Sequence, residues 1–233
     1  MTWLLIAIGV LFALGAAMTA LRGNRQTSAT RDTSDDTRSY FGANNFEDTD
    51  AGVTFADVEP PGSPADKAGL VGGDIITNFD GQVVKNKNTM MSLLKQTPPG
   101  KTVEVIYVRD GETKKTQLKT ISRQEFYDLA NAFDEGAGGR GLLGFNEGDS
   151  DTVPIEGTKL QGVRLGDIGS SGPAALAGLQ EGDIITEFDG TPIRTVGELV
   201  SRVRRSKAYS TVKVIAFRGK EKLEISVKMG KRR

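Results

Sequence analysis

Two pairs of aspartates are the first candidates for chemistry: Asp74 with Asp80, and Asp183 with Asp189. Paired carboxylates can divide general acid and base work, but glycosidase-type pairs need less than about 10 Å between them. Each pair flanks an apolar run, "IITNF" or "IITEF", that reads as a strand. Six steps of about 3.3 Å then place the carboxyls roughly 20 Å apart. Beside glycine, all four read better as turn residues. The 233 residues contain no His and no Cys. That excludes Ser-His-Asp and Cys-His mechanisms in cis, disulfides, and metals ligated by His or Cys. "GAGGRG" at 136–141 matches a dinucleotide fingerprint by letter, but such a loop must follow a strand and open a helix, and here a helix precedes it. No cofactor or metal is expected. A Ser-Lys dyad is the hydrolytic arrangement that the missing His leaves open. The elements described below leave too few residues for a catalytic domain to carry it, so no enzymatic activity is expected.

A different chemistry is written in two glycine loops. "RSYFGA" (Arg38–Ala43) and "RGLLGF" (Arg140–Phe145) share the pattern Arg-x-x-Φ-Gly, with Φ apolar. A glycine within an apolar run lets successive backbone N–H groups converge on one point and form an anion nest. Beside an exposed strand edge, such a nest captures a terminal carboxylate while the edge pairs with the incoming chain. The same letters also suit an ordinary strand entry with a tight turn, so the surroundings must decide.

Those surroundings occur twice. "AGLVGGDIITNFDG" from Ala68 and "AGLQEGDIITEFDG" from Ala177 differ at three positions, each placed where a side chain could point into water. Downstream the match persists at an offset of 109 residues, and upstream "GVTFADV" pairs with "GVRLGDI". A duplicated unit of roughly 80–90 residues lies well beyond the periods of solenoids and predicts two domains. Each unit reads as a short strand, then a helical turn opened by Pro64 or Pro173 and closed by Gly69 or Gly178. A strand ending in Asp-Gly follows, then a helix at Asn88–Gln96 or Val196–Arg205, then a hairpin. The expected class is α+β: two small, mostly-β domains, each a partly open barrel or sandwich with two helices. Between them, Ser122 and Glu125 form a capping box ahead of Phe126, Leu129 and Phe133 at helical spacing. This predicts a linker helix whose apolar stripe packs on one of the domains.

The start of the chain is of another kind. Trp3–Leu21 carries no charge, and at about 1.5 Å per residue it reaches roughly 28 Å, close to the hydrocarbon thickness of a bilayer. It reads as a transmembrane anchor or the hydrophobic part of a signal segment, with the anchor favoured. Residues 22–37 read as a polar, flexible tether. Arg22, Arg25 and Arg31 follow the apolar segment and no basic residue precedes it, which by the positive-inside rule places the remainder in the cytosol. Lys and Arg together number 30, as do Asp and Glu. No overall field draws the protein to nucleic acid, and no such partner is expected.

The "LLGF" loop, the Pro-Ala-x-x-Ala-Gly-Leu turn-helix, "GDIIT", "FDG" and the helix after them together resemble the PDZ domain, over about Arg38–Ser122 and Arg140–Lys231. The order of elements, with the hairpin last, is similar to the circularly permuted form that accompanies bacterial HtrA/Deg proteases. The resemblance implies a peptide lying between the strand after the loop and the second helix. In the second unit it implies a carboxylate nest at the N–H groups of Leu143, Gly144 and Phe145, with Val196, Val200 and Val203 facing the groove and Leu199 turned to the core. In the first unit it implies Phe41, Gly42 and Ala43, with Lys87, Met91 and Leu94 on the helix; Ala43 stands in place of an apolar residue, which weakens that nest. The chain departs from the HtrA/Deg enzymes in showing no catalytic domain. The implied protein is a membrane-tethered tandem PDZ adaptor for protein C-termini or extended peptides. The alternative is a non-catalytic regulatory or recruiting subunit of a separate membrane protease or secretion complex. The resemblance favours an extracytoplasmic, periplasmic face, against the basic flank after Leu21. The expected plan is an anchor or signal segment at 3–21, a tether at 22–37, a first PDZ domain at 38–122, a linker helix at 123–139 and a second PDZ domain at 140–233.

Overall fold

The computed structural model describes residues 38–136 and 140–232. The apolar segment at 3–21 and the tether at 22–37 lie outside the described residues. Among those residues, no helix is long and apolar enough to cross a membrane.

The first unit runs β1 (Ala43–Asn44), β2 (Glu47–Thr49), β3 (Gly52–Thr54), β4 (Asp57–Val58), α1 (Pro64–Lys67), β5 (Ile75–Phe79), β6 (Gln82–Val83), α2 (Lys87–Gln96), β7 (Thr102–Arg109) and β8 (Glu112–Lys119). Helix α3 (Arg123–Gly136) follows. The second unit holds β9 (Gly141–Leu142), β10 (Asp151–Pro154), β11 (Gln161–Arg164), α4 (Pro173–Leu176), β12 (Ile184–Phe188), β13 (Thr191–Pro192), α5 (Val196–Arg205), β14 (Thr211–Arg218), β15 (Glu221–Lys228) and β16 (Gly230–Lys231). Each unit is built on an antiparallel six-stranded sheet, β2-β3-β5-β7-β8 or β10-β11-β12-β14-β15, with β6 or β13 added on β5 or β12. A two-stranded pair, β1 with β4 or β9 with β16, accompanies each sheet.

Side-chain alternation fixes the registers. In β7, Val103, Val105 and Tyr107 face a core that also holds Phe41, Phe55, Ile76, Phe79 and Met90. Val212, Val214 and Ala216 of β14 do the same beside Ile185, Phe188 and Leu199. The β7–β8 turn is made by Asp110 (φ 55°) and Gly111 (φ 75°), the left-handed pair that suits strand twist. "GVTFADV", read as one strand, is split because β3 pairs with β5 while β4 pairs with β1, so the chain changes sheets at Phe55. Helix α2 begins at Lys87, capped by the Asn86 side chain accepting from the Thr89 N–H at 2.9 Å. The capping box opens α3: the Ser122 N–H donates to Glu125 at 2.8 Å, and the Glu125 N–H donates to Ser122 Oγ at 3.2 Å.

The repeated aspartates are scaffold. Asp74 is fully buried; it accepts from the Val71 N–H at 3.0 Å and from both ends of the Arg109 guanidinium fork at 2.6 Å. Arg109 also donates to the Gly69 carbonyl at 2.8 Å. Asp183 repeats the set with the Gln180 N–H, the Arg218 fork and Gly178. Each aspartate thus clamps the end of the first arm of the final hairpin, β7 or β14, to the turn after the short helix. Asp80 is paired elsewhere, with Lys101.

The two units meet along α5, which repeat counting did not foresee. Glu198 has no exposed surface, and it accepts from the Val58 N–H at 3.2 Å, the Gly72 N–H at 2.9 Å and Arg202 Nε at 2.5 Å. Thr195 Oγ1 donates to the Ala56 carbonyl, and the Arg194 fork holds Asp110 at 2.7 and 2.8 Å. Arg202 and Arg205 converge on Asp66 of α1. Val71 and Gly72, two of the three positions at which the repeats differ, are therefore at odds with a water-facing placement. Val71 is 2% exposed, and Gly72 lies against Ala56 and Thr195 with no room for a Cβ. Their counterparts Gln180 and Glu181 are exposed.

This seam carries a pH signature. Burial works to raise the Asp66 carboxyl, but the Gly62 N–H, Arg205 and Arg202 together hold it below the usual carboxylate range. A carboxyl depressed on folding contributes stability that is fully present above its unfolded pKa, about 4. That stability is lost as pH falls through the lower folded value. Urea midpoints of the wild type and Asp66→Asn should differ by a constant gap at neutral pH that closes below about pH 4. A gap undiminished in acid would contradict the assignment.

Candidate functional site

In the first unit, the sequence-derived residues Phe41, Gly42, Ala43, Lys87, Met91 and Leu94 all line one groove of about 330 Å³. Gly42 takes φ 93°, a conformation that few L side chains adopt. Its carbonyl accepts from the Glu59 N–H at 2.9 Å, and the Phe41 carbonyl accepts from the Ala65 N–H at 2.7 Å. With both carbonyls engaged by the body of the unit, the Phe41 and Gly42 N–H groups donate to no partner among the described residues. Ser39 ties the loop to α2, donating to the Leu94 carbonyl from its N–H at 3.2 Å and from its hydroxyl at 3.1 Å. Lys87 is exposed at the far end, and its N–H is held by Asp48 at 2.6 Å. Met91 is half-buried, and Leu94 serves both the core and the groove.

In the second unit, Leu143, Gly144, Phe145, Val200 and Val203 line a smaller cavity of about 180 Å³. Gly144 takes φ 88°, and the Leu143 carbonyl accepts from the Ala174 N–H at 2.8 Å. The N–H groups of Leu143, Gly144 and Phe145 donate to no partner among the described residues. Val196 does not line this cavity; it is half-buried and packs against the core, where Leu199 is fully enclosed. Helix α5 is thus two-faced: Val200 and Val203 look into the groove, while Glu198, Ser201 and Arg202 look into the seam.

Sequence reasoning missed several lining residues. In the first groove these are Tyr40, Phe46 and Phe126; in the second, Glu147, Arg204 and Arg232. The capping box and stripe located Phe126 on a helix, but not which groove that helix closes. The larger groove also belongs to the unit with Ala43, which the loop pattern ranked as the weaker. No group of acidic side chains that could hold a metal is present among the described residues.

Comparison with known proteins identifies the family of both units. The PDZ domain family matches residues 39–120 and 141–229. A probable periplasmic serine endoprotease DegP-like of Ectopseudomonas mendocina is 34% identical over 150 residues, 63% of this chain and 31% of that protein. The DegP-like protein of Halomonas elongata is 28% identical over 69% of this chain and 34% of that protein. The periplasmic pH-dependent serine endoprotease DegQ of Escherichia coli is 25% identical over 70% of this chain and 33% of that one. The chain therefore spans about a third of the length of these relatives. Among solved structures, the HtrA3 PDZ domain bound to a phage-derived ligand (FGRWV) is similar at 22% identity and TM-score 0.32, covering 39% of this chain and 89% of that one. The HtrA-type protease AlgW with decapeptide is similar at 18% identity and TM-score 0.39, over 55% of this chain and 40% of that one.

Proposed function

Because the chain belongs to the PDZ-domain family, as a tandem pair of the bacterial HtrA/Deg type, we propose that it binds C-terminal or extended peptide segments of client proteins. Binding occurs by strand addition and carboxylate capture, without hydrolysing the client. The observation that carries this reading is the pair of N–H groups at Phe41 and Gly42, unmatched among the described residues and set around a left-handed glycine at the mouth of a groove. The second nest, at Leu143, Gly144 and Phe145, repeats it beside Val200 and Val203, with Val196 at the start of the helix. The proposed plan keeps 38–122 and 140–233 as the two binding domains and 123–139 as their linker. Residues 3–21 serve as a membrane anchor with the domains on the periplasmic side, as the relatives named periplasmic suggest. Because those relatives are serine endoproteases, a second role is favoured beside general adaptor work: recruiting or restraining a separate membrane protease.

An array of peptides with free C-termini, probed with the full chain, tests the proposal. Binding should fall at least about tenfold on C-terminal amidation, since a charge-assisted hydrogen bond is worth roughly 1.5–3 kcal/mol. Equal binding to both forms would defeat carboxylate capture. Sustained cleavage of the peptides, abolished by changing one Ser or Lys, would defeat the non-catalytic reading.

A further inference from the structure

The groove of the first unit is not built from that unit alone. Phe126 of α3 lines it, and its ring lies 5.3 Å from that of Tyr40, the residue next to the nest. Phe41 and Phe46 line the same space, with their rings 6.0 Å apart. At the loop position where the second unit carries Phe145, the first carries Ala43. The small side chain leaves room, and an aromatic wall is supplied from outside the repeat. The volumes follow: about 330 Å³ against about 180 Å³ in the second unit. Only the first falls in the range of ordinary ligand pockets, roughly 300–1,000 Å³.

We infer that helix α3 completes the first groove as an aromatic-selective subsite, with Phe126 and Tyr40 receiving a ring on the ligand residue that carries the terminal carboxylate. This rests on the peptide-binding reading above and names the ligand class for one of its grooves. Rings pack favourably in offset or edge-on arrangements at centroid separations of 4.5–7 Å, beyond the gain from apolar burial alone. Helix α3 is joined to the first unit by its own contacts: Tyr40 on Phe126, and Leu129 beside Gly62. The subsite is thus present in the full chain and absent from a unit cut at the end of β8. The second groove, with Phe145 in place and half the volume, lacks this subsite.

The test uses the full chain and dye-labelled peptides that are identical except at the last residue, Phe or Val, each with a free or amidated C-terminus. Wild-type protein should bind the Phe form about tenfold tighter than the Val form, as an added aromatic contact implies. Phe126→Ala should bring that ratio close to one by weakening the Phe form more than the Val form, with the circular dichroism spectrum unchanged, and Phe126→Leu should give an intermediate ratio. Ala43→Phe should also lower the ratio by filling the space. A wild-type ratio near one, or a ratio unmoved by Phe126→Ala, overturns the inference. The amidated arm is read separately: equal binding of the amidated peptides defeats carboxylate capture, while the Phe-to-Val ratio still reports on the subsite.

Discussion

Glu198→Ala is expected to destabilise the protein by about 3–5 kcal/mol, the cost of removing one partner from a buried ionic cluster. It should also replace a single urea transition with two. Glu198 is fully enclosed, and its carboxylate is the acceptor for the Val58 and Gly72 N–H groups across the seam. Each N–H left without an acceptor costs roughly 1–3 kcal/mol. Arg202 would retain Asp66 but lose its bond to the carboxylate. The seam's remaining ties, Arg194 with Asp110 and Thr195 with Ala56 before the helix and Arg202 and Arg205 with Asp66 toward its end, flank the lost carboxylate, so its middle would open first. Glu198→Gln keeps the shape and one acceptor oxygen, and should fall between wild type and alanine. Circular dichroism during urea titration reads both effects. A single transition within about 0.5 kcal/mol of wild type would contradict a coupled pair of units.

Gly42→Ala should disable the first groove and lower stability by about 3 kcal/mol, whereas Gly144→Ala should be milder. Both glycines have φ near 90°, where an L side chain costs roughly 1–2 kcal/mol. At Gly42, an added methyl would also overlap the Ser63 side chain and crowd the Glu59 carbonyl at 3.1 Å. Ser63 is fully buried and caps α1, so it has little freedom to give way; overpacking of this kind adds about 1–3 kcal/mol. At Gly144, the nearest atom is Pro173 Cδ at 3.2 Å, and Gly172 at the cap offers no side chain to displace. Thermal unfolding together with peptide titration of each variant separates strain from loss of the nest. Equal effects at the two glycines would contradict the packing argument.

Much of the fold was legible because it rests on local chemistry: β-rich runs closed by Asp-Gly turns, short helices opened by proline, and a capping box ahead of an apolar stripe. The two left-handed glycine turns were legible for the same reason, since a glycine loop is a local device. The seam was not, because the groups that Thr195 and Glu198 meet on the first unit are backbone groups of Ala56, Val58 and Gly72, which no side-chain pattern records. Glu198, Arg202 and Arg205 are the charged positions of a helix whose sequence was read for its apolar residues alone. A signal did exist in the comparison of the repeats. Val71 and Gly72 stand where the second copy has Gln180 and Glu181, and Arg202 stands where the first copy has the buried Leu93. Differences between copies mark where one copy meets a neighbour that the other does not. The size of the grooves was likewise beyond local reading. Ala43 looked like a weakened nest, but Phe126 reaches the same groove from a helix outside the repeat.

The most direct test of carboxylate capture is an amide NMR titration of the ¹⁵N-labelled chain with a client-type peptide and its C-terminally amidated twin. Capture predicts that the free-acid peptide shifts the N–H resonances of Phe41 and Gly42, and those of Leu143, Gly144 and Phe145 where the second groove fills. The amidated twin should leave them in place at the same concentration. Shifts of equal size with both peptides, or binding that leaves the amides of both nests unmoved, would contradict it.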